Sequence, residues 1–230
     1  MVNIKGSTVV VTGGQRGLGK AVVEELLERG AAKVYATARN PQPSQDPRVV
    51  SVALDVTDAE SVAALAKTAS DAQIVVNNAG TLGATKLLRS DIEEVKAVFE
   101  TNYFGALRVA KAFASILARN GGGALVDIHS VLSWVGGFGG YGDSKAALWL
   151  ATNSLRIELE PQGTLVTGVH LGYTDTDLVS DHDVPKNDPR QVAREILDGI
   201  ERGDAEVLAD EISRTIKASL SGPVEALRAS

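Results

Sequence analysis

The chain of 230 residues contains no cysteine. Disulfides, thiolate catalysis and cysteine-ligated metal are therefore excluded. It also lacks a basic excess. Its formal net charge is −6, and a surface that tracks a phosphate backbone would carry the opposite sign, so no nucleic-acid partner is expected. No apolar run approaches the roughly 20 residues that span a bilayer, so no membrane partner is expected either. The stretch from Met1 to Thr8 lacks the cationic segment and apolar run of a signal peptide. Cytoplasmic residence is the default expectation. His129, His170 and His182 do not have metal-ligand spacing, so no metal site is expected. No internal repeat or low-complexity segment divides the chain, and span 1–230 reads as one domain.

What is present is an alternation of strand and helix patterns. Ser7–Val11, Lys33–Ala38, Val49–Leu54, Ile74–Asn77, Gly123–Ile128 and Leu165–His170 are short runs rich in Val, Ile and Leu. They do not alternate strictly, which suits parallel strands covered on both faces. Glu206–Leu208 is a candidate edge strand. Between them lie helical patterns at Gly17–Arg29, Asp58–Thr68, Ile92–Arg119, Tyr141–Glu160, Pro189–Ile200 and Ile212–Leu220. The expected fold is α/β: a doubly wound parallel sheet of Rossmann type in three α/β/α layers.

The first strand runs into Thr12-Gly13-Gly14-Gln15-Arg16-Gly17-Leu18-Gly19. Gly13 permits a tight turn, Gly17 lets backbone approach a pyrophosphate, and Gly19 lets the helix pack closely on the strand. The helix N-terminus would then face phosphates with its free N–H groups. Gly13, Gln15, Arg16, Gly17, Leu18 and Gly19 form the expected cofactor cradle. A glycine-rich turn without a ligand is the bland alternative. The second strand ends at Ala38, where an acidic residue would bond a ribose 2′-hydroxyl and repel a 2′-phosphate. Here Ala38 is followed by Arg39, and Arg16 lies in the turn. Two guanidinium groups at that corner suit a 2′-phosphate, so NADP(H) is the expected cofactor. Ordinary solvated arginines are the alternative.

Tyr141 and Lys145 are four apart and share one helix face. A phenol with a pKa near ~10 is a poor acid at neutral pH. A neighbouring ammonium is expected to bring it toward the working range. Ser130 closes the fifth strand, where the ligand crevice of such a sheet is expected. Ser133 is a rival for its role, but its spacing to Tyr141 fits worse. Asn102 is a poor choice inside a helix by propensity, which marks either function or a buried polar kink.

The Gly-x-x-x-Gly-x-Gly turn, Asn77-Asn78-Ala79-Gly80 and Tyr141-Gly142-Asp143-Ser144-Lys145 together resemble the short-chain dehydrogenase/reductase family. The likeness runs from about Thr8 to Glu160, continues loosely to Thr176, and then fades. It implies an NADPH-dependent reduction of a ketone or aldehyde to an alcohol, with Asn102, Ser130, Tyr141 and Lys145 catalytic. Tyr141 would donate the proton, Lys145 would also hold the nicotinamide ribose, and Asn102 would hold a relay water. Asn78, Ala79 and Gly80 would line the cofactor. Asp55, followed by Val56, would meet the adenine edge, though a simple turn cap is almost as good a reading. The segment His170-Leu171-Gly172-Tyr173-Thr174-Asp175-Thr176 is similar to the family's Pro-Gly-x-x-x-Thr, with Leu171 replacing Pro. Tyr173 and Thr176 would then meet the carboxamide. No catalytic role falls to His170.

Two departures stand out. His129-Ser130 replaces a common Ser-Ser. Tyr141 follows Ser130 by 11 positions, about two short of the usual gap. The lid segment Asp177–Asp188 is short and polar, so the pocket is expected to be open. Leu132, Trp134, Val135 and Phe138 make the preceding loop apolar. They either face an apolar or aromatic carbonyl substrate or pack internally or on another subunit. A homodimer or homotetramer is expected from Ile92–Arg119 and Tyr141–Glu160, the latter carrying Ala146, Ala147, Leu148, Trp149, Leu150 and Leu155. Two other functions remain open: a silent dinucleotide-binding sensor or scaffold, and an alcohol dehydrogenase working oxidatively.

Overall fold

Seven short aliphatic runs pair in parallel, the central ones buried on both faces. The structure, a computed structural model, describes residues 2–228. Met1, Ala229 and Ser230, at the ends of the span read as one domain, lie outside the described residues. The strands are β1 (Thr8–Val11), β2 (Lys33–Ala38), β3 (Val49–Ala53), β4 (Ile74–Asn77), β5 (Ala124–Ile128), β6 (Leu165–His170) and β7 (Glu206–Leu208). They form one sheet in the order β3-β2-β1-β4-β5-β6-β7. This is the doubly wound, Rossmann-type arrangement.

Every residue of β1, β4 and β5 is buried, which is why their sequences do not alternate. Within β1, side chains go to opposite faces in turn. Val9 and Val11 join the cluster that holds Leu26 and Ile196, while Val10 joins the one that holds Leu65 and Phe113. The sequence reading of β3 as fully buried is corrected: it is an edge strand, with Val50 and Ala53 exposed.

The helices are α1 (Gly17–Glu28), α2 (Ala59–Thr68), α3 (Ile92–Phe99), α4 (Ala106–Arg119), α5 (Gly139–Leu159), α6 (Pro189–Arg202) and α7 (Glu211–Ser219). Asp58, Asp188 and Asp210 cap α2, α6 and α7 through their side chains, each satisfying a helix-end N–H. The single helix expected over Ile92–Arg119 is instead α3 and α4 joined by a π-helical turn at Glu100–Gly105. One wide turn does not disturb the apolar pattern on either side, so periodicity could not register it. Gly105 packs tightly here: a Cβ would lie 2.7 Å from Val56 Cγ2.

Strand order reverses between β1 and β4. At such a switch point the two following loops diverge and leave a crevice at the carboxyl ends of the strands.

Candidate active site

The crevice begins with the glycine turn. Gly13 and Gly17 have φ of +66° and +50°, in the left-handed region that side chains avoid. Gly19 answers a different need. A Cβ there would come within 2.2 Å of the Gly13 carbonyl oxygen and 2.5 Å of Asn78 Nδ2. Arg16 is the N-cap of α1 but makes no side-chain cap, and the first turn has no acidic residue. The leading N–H groups of α1 are thus left for an anion. Leu18 is buried in the core, so only its backbone can serve the cradle.

Thr12 and Asn78 join the two loops at the switch point. Asn78 Nδ2 donates to the Thr12 and Gly13 carbonyls at 2.9 and 3.3 Å. Thr12 Oγ1 accepts from Asn78 N and Ala79 N at 3.0 and 2.9 Å. Gly80 follows, and a Cβ on it would lie 3.7 Å from Lys145 Nζ.

At the other end of the crevice, Gln15 clamps the loop after β2. Its amide donates to Gln42 O and Ser51 Oγ and accepts from Gln42 N. Ala38 ends β2 and Arg39 is exposed beside it. Hydrogen bonds from Thr57, and in smaller part the Arg39 charge, hold the Asp55 carboxyl below its ordinary range. Asp55 therefore does form a turn cap, accepting from Thr57 N at 2.9 Å and Thr57 Oγ1 at 2.7 Å. Val56 packs against Gly105. Arg39 faces the Asp55 side, whereas Arg16 lines a cleft with Lys86, Phe138, Asp177 and His182.

Ser130, Tyr141 and Lys145 meet at the end of β5. Ser130 Oγ accepts from Leu132 N at 3.1 Å and caps a 3-10 turn, Val131–Ser133. Its own proton is left to donate. Lys145 Nζ donates to the Ile128 carbonyl at 2.7 Å and lies 6.0 Å from the centre of the Tyr141 ring. Burial pulls the Lys145 ammonium down to about 8.

The expected lowering of the tyrosine pKa is overturned. Burial pushes the Tyr141 phenol up to about 12, and a side-chain contact with Ser130 opposes this without reversing it. Desolvation dominates, and the short bond of the Lys145 ammonium goes to the Ile128 carbonyl. The phenol is thereby kept protonated at neutral pH, the form of a proton donor. Ser133 is buried in the 3-10 turn with an unpartnered hydroxyl.

Asn102 lies in the π turn and is 1% exposed. Its amide donates to Thr81 O and Ser144 Oγ, both at 3.0 Å, and accepts from Thr81 N at 2.8 Å. It ties the loop after β4 to α5, one turn from Tyr141. Past β6, Thr176 reaches the glycine turn: a Cβ on Gly17 would lie 3.1 Å from Thr176 Cγ2. Tyr173 packs edge-on against Phe138 at 6.3 Å and tilts over His182 at 5.3 Å between ring centres.

The cleft beside this group has a volume of about 690 Å³, with Leu82, Phe138 and Leu178 among its apolar walls. Of the apolar loop residues, only Phe138 lines it. Trp134 and Val135 are buried, and Trp134 stacks on His170 at 3.7 Å between ring centres. The sequence did not reveal that His129 and His170 touch, with Nδ1 of one 3.1 Å from Nε2 of the other. Their positions on adjacent strands were the available signal.

Fold and site define a doubly wound α/β protein with a dinucleotide-type glycine turn and a Ser-Tyr-Lys group. Residues 7–186 match the family model described as short chain dehydrogenase. A 3-oxoacyl-[acyl-carrier-protein] reductase of Vibrio cholerae is 33% identical over 189 residues, covering 77% of each chain. An uncharacterized oxidoreductase of Myxococcus xanthus is 31% identical over 224 residues, 90% of this chain and 88% of that one. A short chain dehydrogenase from Burkholderia cenocepacia, crystallised in complex with NADP, is 37% identical. It superposes with a TM-score of 0.92 over 98% of this chain and 97% of its own. The chain is an oxidoreductase of the short-chain dehydrogenase/reductase family.

The Gly19 contact makes a direct test. Gly19→Ala forces a methyl into the Gly13 carbonyl and the Asn78 amide, an overpacking that costs about 1–3 kcal/mol. Thermal unfolding should shift down and nucleotide binding should weaken at least tenfold, or about 1.4 kcal/mol. Parent-like values for both in calorimetry and titration would remove Gly19 from the cradle.

Proposed function

We propose that the protein is an NADP(H)-dependent oxidoreductase that reduces a ketone or aldehyde to an alcohol. The observation that carries this reading is the meeting of Ser130, Tyr141 and Lys145 at one strand end, with Lys145 anchored on the Ile128 carbonyl and 6.0 Å from the centre of the Tyr141 ring. A reduced nicotinamide, when bound, supplies the hydride. Tyr141 donates its proton to the substrate oxygen. Ser130, whose oxygen already accepts from Leu132 N, donates its own hydrogen to that oxygen and orients it. Lys145 has one N–H on the Ile128 carbonyl and the others free for ribose hydroxyls. Both amide hydrogens of Asn102 are committed to Thr81 and Ser144, so a relay water would meet its carbonyl oxygens.

The cradle fits the cofactor. The two left-handed glycines, the uncapped N-terminus of α1 and the close seat of Thr176 on Gly17 leave room where side chains would fill it. Asn78, Ala79 and Gly80 would flank the nicotinamide end, with Tyr173 and Thr176 at its carboxamide. Asp55 and Val56 would border the adenine. Arg39, with no acid at Ala38, favours a 2′-phosphate, and the NADP complex of the Burkholderia relative supports that choice. Reduction as the working direction is supported by the reductase from Vibrio cholerae. The apolar walls of the cleft and the Phe138–Tyr173–His182 cluster favour an apolar or aromatic carbonyl compound as substrate.

NADPH should therefore bind tighter than NADH by about ten- to a hundredfold, since a hydrogen bond to a charged group contributes about 1.5–3 kcal/mol. Arg39→Asp should erase or invert the preference. Fluorescence titration with both nucleotides decides; equal affinities for the parent protein overturn the assignment.

Tyr141→Phe deletes only the hydroxyl. Single-turnover hydride transfer should drop about 10²–10⁴-fold while NADPH affinity stays near the parent value. A silent sensor would show no change in any assay. Lys145→Ala should harm both turnover and nucleotide binding. Because the Lys145 pKa is lowered, its charge is present below about 8 and lost above it. NADPH affinity of the parent should accordingly weaken as pH rises through that value, and the Lys145→Ala variant should lack this limb.

The protein is further proposed to be a homodimer or homotetramer. Leu148 and Leu155, expected at a subunit contact, are in the core of the chain. Ile92, Phe104, Leu150 and Ile157 instead remain exposed on the helices concerned. Light scattering at micromolar concentration should give a multiple of the chain mass, and Leu150→Asp with Ile157→Asp should reduce it. A monomeric parent protein would end the proposal.

A further inference from the structure

A line of buried polar groups runs behind Ser130 and Lys145, outside the proton-donor site. Asp127 on β5 and His129, one residue past its end and still paired to Val169 O, are two apart and so share a face. Thr152 on α5 meets both, and His170 comes from the neighbouring strand β6. Asn77 Nδ2 donates to Asp127 Oδ1 at 2.9 Å. Thr152 Oγ1 lies 2.7 Å from Asp127 Oδ2 and 2.9 Å from His129 Nε2. His129 Nδ1 lies 3.1 Å from His170 Nε2, and His170 Nδ1 lies 3.2 Å from the Ser130 carbonyl oxygen. Asp127, Thr152, His129 and His170 are all buried. Gly168 makes the line possible, since a Cβ there would come 2.6 Å from His129 Cε1.

The chemistry of the two ends sets the direction of every bond between them. A carbonyl oxygen can only accept, so His170 Nδ1 must carry a hydrogen. In a neutral imidazole Nε2 is then a bare acceptor, and His129 must donate from Nδ1. His129 Nε2 is in turn bare and takes the Thr152 hydroxyl hydrogen; the Leu148 carbonyl, 2.8 Å from the same hydroxyl, is the i−4 acceptor of the α5 backbone and does not depend on it. Thr152 Oγ1 then has no hydrogen left for Asp127, and their 2.7 Å contact requires the proton to be on the carboxyl group. We infer that His170, locked in its Nδ1–H tautomer, is a positioning residue for Ser130, and that a protonated Asp127 fixes this tautomer through Thr152 and His129. The role of His170 rests on the proposed part of Ser130 in carbonyl reduction; the tautomers do not.

The alternatives cost more. An ionised Asp127 would take the Thr152 hydrogen and reverse the line. Either His170 would then present a bare nitrogen to the Ser130 carbonyl, or one of the two histidines would become a buried imidazolium. The charged groups around the line oppose that cation: Lys145 and Lys217 bear on His170, and Lys145 and Arg156 on His129. Glu206 is 3.7 Å from His170 Nε2, beyond hydrogen-bond range, and both its oxygens are held by Lys217 at 2.8 Å. Burial acts in the same sense throughout, lowering both imidazoles and raising the Asp127 carboxyl.

The test has a spectroscopic arm and a kinetic arm. Nitrogen-15 NMR of the intact protein should find His129 and His170 both as Nδ1–H tautomers, unchanged from about pH 6 to 8, across the ordinary histidine range. Asp127→Asn imitates the protonated acid, with an oxygen for Asn77 and an N–H for Thr152. It should keep both tautomers and the parent melting temperature. An Nε2–H tautomer at either histidine, an imidazolium, or a reversed line in Asp127→Asn overturns the inference. In the kinetic arm, His170→Leu should lower kcat on the order of ten- to a hundredfold, as small misplacements do, with NADPH affinity kept. His170→Asn, whose amide can still donate to the Ser130 carbonyl, should restore most of it. Adding Ser130→Ala to His170→Leu should cost little more, because both remove one function. Fully additive losses would reduce His170 to a structural residue. If Ser130→Ala alone is silent, the proposed role of Ser130 fails, and the NMR arm still decides the tautomers.

Discussion

The junction between Thr12 and Asn78 is the contact on which the site depends. It joins the ends of β1 and β4, where the sheet reverses direction and the crevice opens. A diverging pair of loops would otherwise leave several backbone groups unpaired at a buried edge. One threonine hydroxyl accepts two N–H groups, and one asparagine amide donates to two carbonyls, so the gap closes without filling the crevice. The same asparagine is the surface against which Gly19 must fit. Loss of the side chain at Gly19 is thus a packing requirement, whereas at Gly13 and Gly17 glycine answers a backbone angle.

Desolvation rather than pairing sets the charges around this junction. Tyr141 and Lys145 were expected to act as a coupled pair in which the ammonium draws down the phenol. In the structure each group responds first to burial, which raises one and lowers the other. Both shifts favour the neutral form of the group. Asp127 and the two histidines follow the same rule on the far side of Ser130. A site made largely of neutral, hydrogen-bonded groups avoids the cost of isolated buried charge. It also leaves the field at the substrate oxygen to be set by directed hydrogens.

Much of this was legible in the sequence because short-range patterns carried it. The strands Lys33–Ala38, Ile74–Asn77, Leu165–His170 and Glu206–Leu208 are found at the residues where their composition put them. Glycine spacing located the turn, and Tyr141 and Lys145 fell on one helix face because four residues make about one turn. What stayed hidden depends on the third dimension. The wide turn around Asn102 adds a residue to a helix without disturbing its apolar pattern. Arg16 lines a cleft with Lys86 and Phe138, neighbours that motif spacing does not give. Trp134 could be read as a substrate contact or as internal packing, and the structure makes it a cover for His170. His129 and His170 are 41 positions apart and meet only because β5 and β6 are neighbours, an order that composition does not announce.

The short loop between Ser130 and Tyr141 shows how a departure in length can be absorbed. Eleven positions separate the two residues, and three features close them. Ser130 caps its own 3-10 turn, so the chain reverses immediately after β5. Gly137 and Gly139 then take φ of +126° and +44°, angles that a side chain would resist. Gly139 also lies against the loop after β4, where a Cβ would come 2.5 Å from the Ala84 carbonyl, and Gly140 N donates to that same oxygen at 2.8 Å. The start of α5 is thereby fastened to the loop that carries Gly80 and Thr81. Asn102 holds the same loop from the other side. Tyr141 is positioned from the segment following β4 as well as from β5, so the missing length is recovered by a second anchor and not by strain at Ser130.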